Sequence, residues 1–243
     1  MHPQIPTTTS LFCLLSAVQQ HLRPMALIAS LPRNDPELAR AALEHGADAV
    51  KVHVGLHHHA SDTHFGTLDQ ERPAIEQVFG IWKGRPCGLV PGSGPDIDRK
   101  TLDALPGLGA RFLSLYLRHA VPGTLPTSNL VERMLALSWE DDLGISQDLQ
   151  RLDIQALELS IMHPDTYGEP FTYHDLARCA AVRRQVDLPL VVPTQHRITL
   201  QSVRSLARAG IQAIMIGSVV AGSTPQSWAE ATRRFRQAVD RVF

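Results

Sequence analysis

Eight short apolar runs, rich in β-branched residues, limit what this chain can fold into. They fall at 25–31, 49–54, 86–91, 111–117, 134–139, 156–162, 188–192 and 211–216. Stretches with helical spacing separate most of them, at 36–45, 71–82, 96–105, 145–152, 173–186, 200–209 and 225–242. Most successive runs start about 20–25 residues apart. Near-continuous apolar strands that alternate with helices belong to a parallel sheet covered by helices. Eight such units in 243 residues match the roughly 250 residues of a single barrel. The expected fold is α/β, a single (β/α)8 TIM barrel over 1–243.

An extra N-terminal helix is expected within residues 1–24. Leu11, Leu15 and Val18 repeat at helical spacing and suit a helix that covers the barrel bottom. No Lys or Arg precedes this apolar stretch, and it is short, which argues against a signal peptide. Nor does any run approach the ~20 residues of a membrane span. Three widely spaced cysteines, Cys13, Cys87 and Cys179, form neither a disulfide framework nor a zinc pattern. A cytoplasmic location is therefore expected. A net charge of −1 without a basic stripe argues against a nucleic-acid partner. The weakest segment is 119–132, where Pro122, Gly123 and Pro126 leave room for only a turn or two of helix before strand five.

The unit at 188–223 is the most informative. Its first apolar run ends in Thr194-Gln195-His196-Arg197, and Thr199 reads as the N-cap of a helix that Gly210 ends. The second run closes on Gly217-Ser218. In many barrels the loops after strands seven and eight hold a phosphate on backbone amides. Arg197, Thr199, Gly217 and Ser218 are the expected phosphate-binding residues, between the turns 196–199 and 217–218. Gln195-His196-Arg197-Ile198-Thr199 followed by Ile216-Gly217-Ser218-Val219-Val220 resembles N-acetylmannosamine-6-phosphate 2-epimerase and its ribulose-phosphate-binding relatives. This resemblance to the phosphate-binding TIM-barrel superfamily covers about 50 C-terminal residues. It implies a catalytic lysine on strand three and an acid after strand seven. This chain has Gly88-Leu89-Val90-Pro91 and Gln195 at those places, so the resemblance supports the fold and the phosphate corner more than that activity.

Period-two alternation then identifies the side chains that face into the barrel. With Val50, Val52 and Val54 turned to the helices, Lys51 and His53 point inward. Strand four offers Ser114, Tyr116 and Arg118, and strand six offers Glu158 and Ser160. Strand five offers Ser138 and Glu140, and strand seven Thr194 and His196. A buried lysine is costly unless paired or functional. Two readings of Lys51 stay open: a structural ion pair with Glu158 or Glu140, and a catalytic group. His53 resembles the strand-end histidine of ribulose-phosphate 3-epimerase, where histidines and aspartates bind a divalent metal. No inward Asp accompanies it on strands three or seven, and the His57-His58-His59 run with His64 does not converge unaided on one ion. No metal or other cofactor is expected.

The leading expectation is an enzyme acting on a small phosphorylated metabolite, a sugar phosphate. Its reaction class is isomerase, epimerase or aldolase-type lyase, each requiring proton abstraction beside a carbonyl. Lys51 and Glu158 would be the acid/base pair, with His53 and Tyr116 polarising or positioning the substrate. Ser160, Glu140, Thr194, Gln195 and His196 would position it further. Two alternatives stand beside this: a non-catalytic phosphometabolite-binding barrel, and a metal-dependent hydrolase using the histidine-rich loop. The expected partner is a small phosphorylated substrate, with neither nucleic acid nor membrane, and a homodimer is open.

Overall fold

The computed structural model describes residues 10–94 and 97–242. Eight parallel strands close into a barrel in sequence order. They are β1 (Ala26–Ser30), β2 (Ala49–His53), β3 (Cys87–Val90), β4 (Phe112–Tyr116), β5 (Glu132–Ser138), β6 (Ala156–Ser160), β7 (Leu190–Pro193) and β8 (Ala213–Ile216). The ring closes where β1 pairs with β8 on one side and β2 on the other, with Ala26 opposite Ala213 and Ile28 opposite Ala49.

The helices are α1 (Leu11–Gln19), α2 (Pro36–Glu44), α3 (Leu68–Ile81), α4 (Arg99–Leu108), α5 (Ser146–Leu149), α6 (Tyr173–Arg183), α7 (Ser202–Arg208), α8 (Ser218–Ala221) and α9 (Pro225–Asp240). All seven expected helical stretches hold a helix, with shifted ends; residue 96 of the third lies outside the described residues. Thr67 and a capping box start α3 ahead of the expected position. The short α8 was not foreseen. Among the described residues, β4 and β5 are joined without an α-helix, by a 3-10 turn at Leu117–His119 and a loop through Pro122 and Pro126. None of the described helices is long and apolar enough to cross a membrane.

Alternation sorts the core into two layers. Leu27, Val50, Val52, Leu89, Leu113, Leu157 and Ile214 face outward and join the helices in the main core. The inward residues change character along the barrel. At its bottom Ala26, Ile28, Ala49, Phe112, Met134, Ala156, Val191 and Ala213 form a second apolar cluster. Leu11, Leu14, Leu15 and Val18 of α1 complete it, so α1 plugs the bottom. The Ser10 hydroxyl caps α1, and the Glu132 carboxylate at the start of β5 accepts the Phe12 amide at 3.0 Å. Gly88 belongs to this layer because Phe112 occupies its side-chain space: a Cβ there would lie 2.1 Å from the ring. One layer higher, the inward positions become polar: Ser30, Lys51, Ser114, Glu158 and Ser160 are all buried. The apolar plug thus leaves the polar chemistry at the strands' C-terminal ends.

Candidate functional site

Lys51 on β2 and Glu158 on β6 meet across the barrel. Lys51 Nζ lies 3.0 Å from Glu158 Oε2 and 3.3 Å from Oε1. Of the two partners left open for Lys51, Glu158 is the one it takes. Ser114 donates to Oε2 and Ser160 to Oε1, each at 2.8 Å. Burial opposes ionisation of Glu158, but Lys51 and the two hydroxyls outweigh it and hold the carboxyl below its usual range. Every direction around the carboxylate is therefore supplied with a donor. The ammonium has three hydrogens, and the two carboxylate oxygens engage two of them.

This pair forms the floor of a cavity of about 340 Å³ that opens at the C-terminal mouth. That is ample for a small metabolite. Lys51 is the only Lys or Arg that lines it among the described residues. Of the residues expected at the site, its walls include His53, Tyr116, Ser160, Thr194, Gln195, Gly217 and Ser218. Burial pushes the Tyr116 and Tyr167 phenols up, so both stay protonated hydroxyls at neutral pH.

His53 ends β2 at the cavity wall. Asn34 fixes its backbone from both sides, accepting the His53 amide at 3.1 Å and donating to its carbonyl at 2.7 Å. Burial, then the neighbouring His58 and Lys51, keep the imidazole neutral, well below its ordinary value. Its Nδ1 is buried without a hydrogen-bond partner.

A short hairpin, His57–His58 against Thr63–His64, stands over the mouth. Ser218 Oγ donates to the Ala60 carbonyl at 2.6 Å, tying this hairpin to the turn after β8. Its histidines stack on one another, with the His57 and His64 ring centres 4.1 Å apart. Among the described residues no group of three or more His, Cys, Asp or Glu side chains is placed to hold a metal ion.

At the turn after β8, the Gly217 amide donates to Thr194 Oγ1 at 3.0 Å. The next amides, of Ser218 and Val219, open α8 and have no acceptor within it. Both residues line the cavity.

Several expected site residues lie elsewhere. Arg197 and Thr199 are exposed and outside the cavity lining. Strand β7 ends at Pro193, and the chain then turns outward, so the Arg197 amide pairs with the Glu169 carbonyl at 2.7 Å. Thr199 does begin a helical turn, its hydroxyl accepting the Ser202 amide at 3.2 Å. His196 is also outside the lining. It bridges Asp175, 2.9 Å from Nδ1, and Thr166, 2.9 Å from Nε2, and so clamps the loop after β6. Gln195 serves the same loop, donating to the Tyr167 hydroxyl and accepting the Met162 amide. Glu140 and Arg118 leave the barrel because their strands end at Ser138 and Tyr116; they pair with each other at the surface. Ser138 is buried but outside the lining.

Tyr167, Ser30 and Asn34 were missed. Ser30 was accessible to the same alternation that found Lys51. Tyr167 and Asn34 sit in loops, where no periodic signal applies.

No protein-family model matches the chain, and no curated protein matches it. Solved structures share its fold. Thiamine phosphate pyrophosphorylase from Pyrococcus furiosus superposes with a TM-score of 0.62 at 14% identity, over 90% of this chain and 97% of that one. KGPDC from Streptococcus mutans gives 0.67 at 13%, over 89% and 98%. Tryptophan synthase from M. tuberculosis in its ligand-free form gives 0.67 at 13%, over 96% and 100%. The likeness is one of fold: this chain has the barrel architecture of these enzymes.

Proposed function

We propose that the chain is an enzyme acting on a small phosphorylated carbonyl compound, a sugar phosphate, by proton abstraction beside the carbonyl. Isomerisation, epimerisation and aldol-type cleavage all share that step. The observation that carries this reading is the buried Lys51–Glu158 pair at the floor of a metabolite-sized cavity. A fixed ammonium there suits an oxygen that gains negative charge as the proton leaves. Pairing with the Glu158 carboxylate favours this electrostatic role for Lys51 over that of a nucleophilic amine.

The phosphate belongs at the turn after β8, on the Ser218 and Val219 amides, with Thr194 and Ser218 hydroxyls beside it. Arg197 and Thr199 are too far outside the lining to share it. Tyr116 and Tyr167 donate hydrogen bonds to substrate hydroxyls or the carbonyl. One of the similar solved barrels carries a phosphorylated compound in its name, thiamine phosphate pyrophosphorylase. The epimerase resemblance gives no more than the class, because Gln195 stands at the acid's place and an amide is no general base.

One observation favours a second reading, a binding barrel without turnover: Glu158 has no free lone pair with which to accept a substrate proton. Turnover distinguishes the two. In D2O, the enzyme reading predicts that the protein exchanges the hydrogen beside the carbonyl of a ketose phosphate. Tight binding with no exchange or conversion of any phosphosugar supports the second reading instead.

A further inference from the structure

If Glu158 cannot take a proton, another group in the cavity must. We infer that His53 is the general base, receiving the substrate proton on Nδ1, while Glu158 serves as the fixed counter-ion of Lys51. This rests on the proton-abstraction reading given above and names its missing acceptor.

Two features of the geometry converge on His53. It is 2% exposed, yet its Nδ1 has no partner in the protein. An unpaired buried polar atom is unfavourable, and receiving a substrate proton gives that nitrogen a use. The Leu31 backbone also lies within hydrogen-bonding influence of the imidazole. The ring is also held in place. Asn34 grips its backbone, and Phe65 and His58 pack on it with ring centres 5.0 and 4.8 Å away.

The placement fits the chemistry. Lys51 and His53 are two residues apart on one strand, so both face the cavity about 6.6 Å apart along it. The C–H bond breaks and its proton passes to His53 Nδ1. The electron pair forms the C=C bond of an enediolate, and the former carbonyl oxygen takes the negative charge beside the Lys51 ammonium. In the free protein, the charged or titratable groups that face His53 are Lys51 on β2 and His58 on the hairpin, and both oppose protonation. An anionic substrate acts the other way and strengthens the base as it binds.

The test compares wild type with His53→Gln. Dihydroxyacetone phosphate and a pentulose 5-phosphate are incubated in D2O, and exchange beside the carbonyl is followed by proton NMR. The expected result is a loss of roughly 10²–10⁴-fold in exchange, with probe binding kept. Exchange by the variant close to the wild-type rate overturns the assignment of His53 alone. Failure of wild type to exchange any probe overturns the functional reading, and this inference with it. Nitrogen NMR on wild type supplies a measurement independent of the variant's folding. Nδ1 should be unprotonated in the free protein at neutral pH and protonated with 2-phosphoglycolate, a stable enediolate mimic. A proton on Nδ1 in the free protein contradicts the inference.

Discussion

Lys51→Met removes the ammonium from the cavity floor and keeps a side chain of similar length. Glu158 is then a buried carboxylate held only by the hydroxyls of Ser114 and Ser160. Breaking one half of a buried pair typically costs about 3–5 kcal/mol. In a domain of this size 1 kcal/mol shifts the melting temperature by roughly 2–4 °C, so the variant should melt about 6–20 °C lower. Adding Glu158→Gln removes the stranded charge and should recover a large part of that loss. The assay is thermal unfolding of wild type, both single variants and the double, analysed as a cycle. The effect also has a pH signature. In wild type the depressed pKa of Glu158 means its contribution is present above the unfolded value of about 4.3 and fades as pH falls through the lower folded value. In Lys51→Met the carboxyl is raised instead, so its penalty shrinks as pH falls. A melting temperature within about 2 °C of wild type at pH 7 would refute the pairing as a stabilising element.

Other consequences follow from particular contacts. Gly88→Ala puts a Cβ against the Phe112 ring and should cost about 1–3 kcal/mol by overpacking, read by denaturant unfolding. His58 is held down to about 4, chiefly by burial, so the folded hairpin prefers it neutral. Its contribution is full above the ordinary 6.5 and is lost as pH falls toward about 4. Protection factors of the 57–64 amides, corrected for intrinsic exchange, should therefore fall over that interval, and His58→Gln should abolish the dependence. His196→Ala frees Asp175 and Thr166, which should weaken substrate binding through Tyr167 more than it lowers stability, as seen in KM against melting temperature.

The barrel was legible because its signals are periodic. Apolar runs of strand length marked all eight strands, and alternation within them placed Lys51, His53, Glu158 and Ser160 on the cavity side. The same rule failed two or three residues past several strand ends. At β7 the backbone turns outward after Pro193 to join the loop after β6, so His196 faces away from the cavity. At β5 the Asp141 carboxylate accepts the Ser138 amide at 2.7 Å, and that turn sends Glu140 to solvent. Sequence also named Lys51 and Glu158 as a pair without showing that two serines saturate the carboxylate. That detail is three-dimensional, since Ser114 comes from a different strand. It moves the expected base from Glu158 to His53.

The central claim, that the turn after β8 holds the phosphate of a small carbonyl substrate, is tested most directly by calorimetric titration of wild type, Gly217→Ala and Gly217→Asp. The ligands are a pentulose 5-phosphate and the same pentulose without phosphate. A Cβ at Gly217 meets nothing closer than the Ser30 carbonyl at 3.8 Å, so both variants should fold. Wild type and Gly217→Ala should bind the phosphorylated ligand well above the plain sugar, and the carboxylate of Gly217→Asp should abolish that preference. Equal binding of both sugars by wild type, or an undiminished preference in Gly217→Asp, would contradict the claim.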